Sequence, residues 1–244
     1  MSGIGNEFLE KTKYKYMDKS DQTKGLPQPP LELEYDKRNK IIDLPSPSSI
    51  KVKDISLKEA IENRRSIRKY SEKHLSIEEL SYLLWCTHGV KEFKANSYTL
   101  RTVPSAGARH AIETYLLINN VQGIPPGLYR FLAIEHKLLE INLSPDISEV
   151  ITYAALGQNY VKKSAVTFIW TSVIYRMNWR YGERGYRYIF LDAGHICQNL
   201  YLSAQNIDSG VCAIAAFSDD ELNKILEIDG KEHFVIYMAT VGKL

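Results

Sequence analysis

Residues 188–206 read YIFLDAGHICQNLYLSAQN. Ile189, Ala193, Ile196, Cys197, Leu200 and Ala204 recur at the helical period, and Phe190, Leu191, Tyr201 and Leu202 make the other side apolar as well. A helix apolar on most sides has to be covered by a core or by an interface. It is the longest helix signal in the chain. Towards the C-terminus, Ser218-x-x-Glu221 predicts a short capped helix, and His233 to Val241 predicts a closing strand. Towards the N-terminus, Ala165 to Ile174 is β-branched and aromatic and suits a buried strand, and Val150 to Leu156 reads as helical. Gly127 to Phe131 and Leu138 to Leu143 read as a hairpin, and residues 112–121 as a strand. Two capping boxes, Ser56-x-x-Glu59 and Ser76-x-x-Glu79, open helices that run to about Arg65 and to about Gly89. Helices and strands are mixed without regular βαβ alternation, which favours α+β over a doubly wound fold.

Composition bounds the class. The chain has 244 residues, 44% hydrophobic and 25% charged, enough for one sizeable core. A net charge of +2 and the lack of a long basic face do not suggest nucleic-acid binding. No apolar run is long enough to span a membrane. Glu7, Glu10 and Lys11 stand where a signal peptide would be apolar, so a cytoplasmic protein is expected. Cys86, Cys197 and Cys212 are far apart and read as small core residues, not as a disulfide framework or a zinc site. Residues 1–50 hold five of the nine prolines and read as an extended arm; 51–244 form the body. Tyr14, Tyr16, Tyr35, Leu31, Leu33, Ile41 and Ile42 suggest that the arm packs against something.

Candidate chemistry begins at Asn63-Arg64-Arg65-Ser66-Ile67-Arg68-Lys69-Tyr70. Three arginines and a serine within five positions can bind a dianionic phosphate, and on a continuing helix Arg64 and Arg68 would share a face. Equally, cations near a helix C-terminus are favourable and often merely solvated. Pro104-Ser105-Ala106-Gly107 is a small-residue loop that would let a flat ligand approach the backbone, or a plain turn. Gln158, after a helix, could read a ring edge; Gly157-Gln158 could equally be a helix stop. Gly210 to Phe217 is small and apolar and could line an aromatic ring while offering backbone amides. Asp192 and His195 lie in the long helix without a third ligand at metal spacing, so no metal is expected and His195 reads as scaffold.

Together these segments resemble the nitroreductase superfamily, and more narrowly its SagB-type, thiazole/oxazole-oxidase-like dehydrogenases. The likeness includes Gly25-Leu26-Pro27-Gln28-Pro29-Pro30, Arg64 to Arg68, Arg101-Thr102-Val103-Pro104-Ser105-Ala106-Gly107, Gly127-Leu128-Tyr129-Arg130, Tyr186-Arg187-Tyr188, Asp192-Ala193-Gly194-His195 and Val241-Gly242-Lys243. The resemblance implies a three-layer α/β/α sandwich on a mixed, mainly antiparallel sheet. It also implies a homodimer with FMN in two interface clefts. Carried over by position, Arg64, Ser66 and Arg68, with Arg65 beside them, would hold the FMN phosphate and ribityl chain. Pro104, Ser105, Ala106 and Gly107 would come from the partner subunit. Gln158 would read the pyrimidine edge, Ala215 and Ala216 would offer amides near N5, and Lys243 would reach the phosphate. Ala108 replaces an asparagine usual in better-known members, and Arg187-Tyr188 lies in a stretch comparable to a Lys-Tyr pair of azoline oxidases. Three functions follow: an NAD(P)H-dependent reductase of small acceptors such as quinones or nitro compounds, a dehydrogenase of azolines in peptides, and a flavin-binding protein without turnover.

Overall fold

The computed structural model describes residues 3–95 and 97–244; Met1 and Ser2 of the arm lie outside them. In chain order the elements are α1 (Ile4–Lys11), β1 (Ile41–Asp43), α2 (Leu57–Asn63), α3 (Ile77–His88), β2 (Val90–Lys94), β3 (Tyr98–Arg101), β4 (Ile112–Ile118), β5 (Gly127–Leu132) and β6 (Lys137–Asn142). Then come α4 (Ile147–Ala154), α5 (Tyr160–Lys163), β7 (Val166–Val173), α6 (Tyr175–Tyr181), α7 (Gly185–Ser203), β8 (Ser209–Ile214), α8 (Asp219–Ile225) and β9 (His233–Lys243).

Seven strands form one sheet in the order β1-β6-β5-β4-β7-β9-β8, and every pairing between them is antiparallel. A parallel element enters only through isolated bridges, Ser66 to Val211 and Leu75 to Val121. The central strands β5, β4 and β7 are buried along almost their whole length because both of their faces are covered. Alternation then sorts the side chains. From β4 and β7, Ile112, Leu116, Ile118, Val166, Phe168 and Trp170 enter the core beneath α3 and α7. Tyr115, Leu117 and Ile169 enter a second core with Ile147 and Ile151 of α4 and Leu222 of α8. The result is the α/β/α sandwich, an α+β fold.

Local signals placed the starts of α2, α3 and α8. Ser76 and Glu79 make the full reciprocal capping box on α3. Ser56 caps α2 by accepting from the Glu59 N–H, whereas Ser218 starts α8 without a side-chain bond. Some boundaries moved. α4 starts three residues earlier than expected and ends before Leu156 and Gly157, whose φ angles are 55° and 71°. α7 begins at Gly185 and passes into a 3-10 turn that ends at Ile207.

The larger correction concerns residues 64–68, which are extended and not helical. α2 stops at Asn63, and Arg64 turns to ψ 124°. The Ile67 N–H bonds the Val211 carbonyl at 2.8 Å, so the sheet edge claims this segment. The Ile67 side chain lies on Gly210, where a Cβ would fall 2.6 Å from the Ile67 Cβ. α1, α5, α6, β1, the β2–β3 hairpin and β8 were not anticipated as elements.

Candidate active site

In an extended chain, alternate residues point the same way. Arg64, Ser66 and Arg68 therefore share one side, and Arg65 and Ile67 the other. The shared side faces two tyrosines. The Arg64 guanidinium lies 5.3 Å from the Tyr201 ring centroid, and that of Arg68 lies 6.0 Å from the Tyr160 centroid. The Ser66 and Tyr201 hydroxyls are 3.0 Å apart, and the Tyr201 oxygen also accepts the Ala213 N–H at 2.9 Å. Tyr201 thus ties α7, the 64–68 segment and β8 together. Among the described residues, no carboxylate pairs with Arg64, Arg65 or Arg68. The Arg68 guanidinium is pushed up from its ordinary value by the Cys212 sulfur first and then by the Tyr160 hydroxyl. Burial pushes the Cys212 thiol up, against the pull of Arg68, so it stays protonated near neutrality.

Gln158 and Ala216 come together beside this cluster. The Gln158 amide donates to the Ala155 and Ala216 carbonyls, both at 2.8 Å, and its oxygen accepts from the Tyr160 hydroxyl. Both N–H donors are used, which leaves one lone pair on the amide oxygen for a ligand donor. Ala215 and Ala216 are exposed just past β8, and their N–H groups have no protein acceptor among the described residues.

Pro104 to Gly107 lie elsewhere. The Ala106 N–H bonds Asp192 Oδ1 at 3.3 Å, and the Ser105 hydroxyl accepts the His110 N–H at 2.9 Å. Burial raises the Asp192 carboxyl, with Ser105 and the Ala106 amide opposing. The loop borders a cavity of about 430 Å³ lined by Pro104, Ser105, Ala108, His110 and Lys91. Tyr201 and Asp192 stand nine positions apart on α7, roughly 13 Å of helix at about 1.5 Å per residue. Within one chain the Arg64–Arg68 cluster and the Pro104–Gly107 loop therefore meet α7 at separate places along its length.

Lys243 has other partners: its ammonium is held by Glu79 and by the Ile207 carbonyl. His195 is exposed on the outer face of α7 together with Phe190, Leu191 and Gln198, not buried as its helix suggested. Arg187 and Tyr188 bind the arm: Arg187 Nε donates to Thr12 Oγ1 at 2.6 Å, and the Tyr188 and Tyr14 hydroxyls are 2.8 Å apart. No group of three or more His, Cys, Asp or Glu able to hold a metal exists among the described residues. Also among the described residues, no helix is long and apolar enough to cross a membrane. Tyr160 and Tyr201 beside the arginines were not singled out in the sequence as site residues, and Cys212 only as part of the small-residue run 210–217. Each was legible only as an aromatic or a small core residue, because its partners come from other elements.

Residues 61–243 match the model of the nitroreductase family. The chain belongs to that family. A nitroreductase-family protein of Methanocaldococcus jannaschii is 32% identical over 203 residues, covering 83% of this chain and 96% of the relative. A trifolitoxin-processing protein of Rhizobium leguminosarum bv. trifolii is 28% identical over 154 residues, 62% of this chain and 41% of the relative. A nitroreductase-family crystal structure from Anabaena variabilis superposes with a TM-score of 0.64 at 32% identity, over 75% of this chain and 37% of that one. The nitroreductase fold and an oxidoreductase class follow for this chain.

Proposed function

We propose that this nitroreductase-family oxidoreductase binds FMN non-covalently and passes hydride between a donor and a small acceptor. The observation that carries the reading is the alignment of Arg64, Ser66 and Arg68 on one side of an extended segment, with guanidiniums that no carboxylate neutralises. Those side chains fit one phosphate. The small residues after β8 leave room for a flat ring, with the open amides of Ala215 and Ala216 facing it. Gln158, as an acceptor only, would take a ring N–H at the pyrimidine edge. Lys243 stands outside the proposed phosphate set.

When bound, FMN supplies the two-electron chemistry at N5, with NAD(P)H as the proposed donor and a quinone or nitro compound as the acceptor. The protein's part is to hold, orient and dry the ring. Arg64 and Arg68 fix the charged end, Tyr201 braces Ser66 against β8, and the loop amides stabilise developing negative charge.

The two half-sites on α7 support a homodimer, in which Pro104 to Gly107 of one subunit complete the cleft of the other. Phe190 is 55% and Leu191 59% exposed on the outer face of α7, and the C-terminal part of the same helix lines a groove of about 360 Å³ with Leu202, against Leu57 and Trp85. A second copy would cover them. Within this reading residues 1–50 are an arm on a 51–244 body, and the protein works in the cytoplasm.

A second reading, oxidation of azoline rings in a peptide by a SagB-type enzyme, is favoured by the relation to a trifolitoxin-processing protein. Purification, an absorbance spectrum, mass spectrometry of the heat-released cofactor and anaerobic titration with NADH and NADPH test both readings. FMN bleached by a nicotinamide supports the first. FMN reduced only by an azoline peptide supports the second. FAD or no flavin refutes both, and FMN that no donor reduces leaves a binding protein.

A further inference from the structure

Arg101 is the last residue of β3 and is only 6% exposed. A buried charge is normally paired, because an ion taken out of water keeps its desolvation cost unless an opposite charge meets it. Arg101 has no such partner. Its Nε donates to Thr99 Oγ1 at 3.2 Å, and no carboxylate among the described residues pairs with it. The two carboxylates whose charge acts on it are engaged elsewhere. Glu113 pairs with Arg176 at 2.6 Å, and Glu32 accepts the Ile134 N–H at 3.1 Å. Burial pulls the Arg101 guanidinium down to about 10, so it is still charged at neutrality.

The remaining donors of Arg101 have somewhere to go. Nη1 and Nη2 find no acceptor among the described residues, yet they are not sealed in protein as Nε and Nη2 of Arg176 are. Arg101 lines the cavity of about 430 Å³ beside Pro104 and Ser105. Lys91 adds an exposed second cation there, and no described carboxylate lines the cavity. Burial lowers His110 to about 3, so its ring on this wall is neutral. Leu100, Val103 and Ala108 make the wall partly apolar. Ala108 and His110 hold left-handed φ angles of 53° and 44°, a strained backbone of the kind kept at binding loops.

We propose that this cavity binds the substrate as a small organic acid, an assignment that rests on Pro104 to Gly107 bordering the flavin cleft. The carboxylate lies on the Arg101 guanidinium, and the hydrocarbon body lies on Leu100, Val103 and Ala108. One guanidinium presents two parallel N–H donors, which match the two oxygens of one carboxylate. Arg64, Ser66 and Arg68 converge as a phosphate site would; a single buried fork with an apolar wall suits a carboxylate on an apolar body.

The probes are benzoate and its uncharged analogue benzamide, titrated by calorimetry into the full chain, with flavin content measured on each sample. Benzoate is expected to saturate one site per chain, and benzamide to bind at least about tenfold more weakly. Arg101→Met should weaken benzoate by about ten- to a hundredfold and leave benzamide unchanged. Arg101→Lys keeps the charge and loses the fork, so its benzoate affinity should fall between the two. Without ligand, Arg101→Met should melt within about 3 °C of the wild type or above it, because it removes an unpaired buried cation. In flavin-loaded protein, benzoate should perturb the visible flavin spectrum with the midpoint found by calorimetry. Equal binding of benzoate and benzamide, wild-type benzoate affinity in Arg101→Met, or an Arg101→Met chain that fails to fold would each overturn the proposal. Displacement of benzoate by equimolar inorganic phosphate would make this an inorganic-anion site and overturn it as well. Benzoate binding that leaves the flavin spectrum unchanged would overturn the substrate role. Benzoate binding by protein that takes up no flavin would sink the FMN chemistry and leave the carboxylate site. Flavin taken up without benzoate binding would sink the carboxylate site and leave the FMN chemistry.

Discussion

Arg68→Ala separates binding from folding. The Arg68 side chain is exposed, has no carboxylate partner among the described residues, and lies near the Cys212 sulfur and the Tyr160 ring, 6.0 Å from the ring centroid. An exposed cation–π contact is worth about 0.5–1 kcal/mol, so the melting temperature should fall by only a few degrees. A charge-assisted bond to a phosphate is worth roughly 1.5–3 kcal/mol, or about one to two decades of affinity. The assay is flavin fluorescence quenching on apoprotein, run beside thermal unfolding of the same sample. The expected result is FMN affinity lower by about ten- to a hundredfold, with riboflavin binding unchanged because riboflavin has no phosphate. Wild-type FMN affinity with a much lower melting temperature would make Arg68 structural. An equal loss for riboflavin and FMN would place the phosphate elsewhere.

Other perturbations address the scaffold. Arg176 pairs with Glu113 at 2.6 Å with both side chains buried, and Glu113 also holds Leu33 of the arm. Burial opposes the charge of Glu113, and Arg176, Arg130 and Arg101 outweigh it. Arg176→Met should cost about 3–5 kcal/mol in urea unfolding, since it strands a buried carboxylate; a loss under 1 kcal/mol would refute the pairing. Burial lowers His110 to about 3, and His233 and His136 to about 4, from 6.5. The unfolded chain thus binds more protons below pH 6.5, and stability should fall from there towards pH 4, by at most about 1.4 kcal/mol per pH unit for each histidine. A flat profile between pH 6.5 and 4.5 would contradict their burial as neutral rings. Gly210→Ala puts a methyl against Ile67 and should weaken FMN uptake although it removes no donor; unchanged uptake would show that the 64–68 segment is not set by β8.

The parts legible in the sequence are those set by neighbours in sequence. The Ser56 and Ser76 caps act within three residues, so their helices could be placed. β4 and β7 are rich in β-branched, aromatic and leucine residues because two layers cover them, and α7 shows its core face at the helical period. What was not legible depends on partners far along the chain. β8 holds only Val211 and Ile214 as strand formers among Ser209, Gly210, Cys212 and Ala213, and β9 makes it a strand. The arm shows no core pattern because between residues 3 and 40 only Thr12 is buried. Tyr201 reads as one more apolar position, and only the fold reveals that its hydroxyl joins Ser66 to Ala213.

The conformation of residues 64–68 decides whether the cluster is a site at all. On a helix, at about 100° per residue, Ser66 would stand roughly 200° from Arg64 and face away from it. Arg64 and Arg68 would align there, but with two donors' worth of helix surface between them and no hydroxyl. In the extended form all three point one way, and the spare donors converge. That form has no local cause in the sequence, since Arg64 to Arg68 could continue α2. Its cause is the N–H of Ile67 bonding Val211, the Ile67 side chain seated on Gly210, and Tyr201 reaching up from α7. A strand edge, a glycine and one helix residue thus turn an arginine run that a helix would splay into one whose Arg64, Ser66 and Arg68 share a single side.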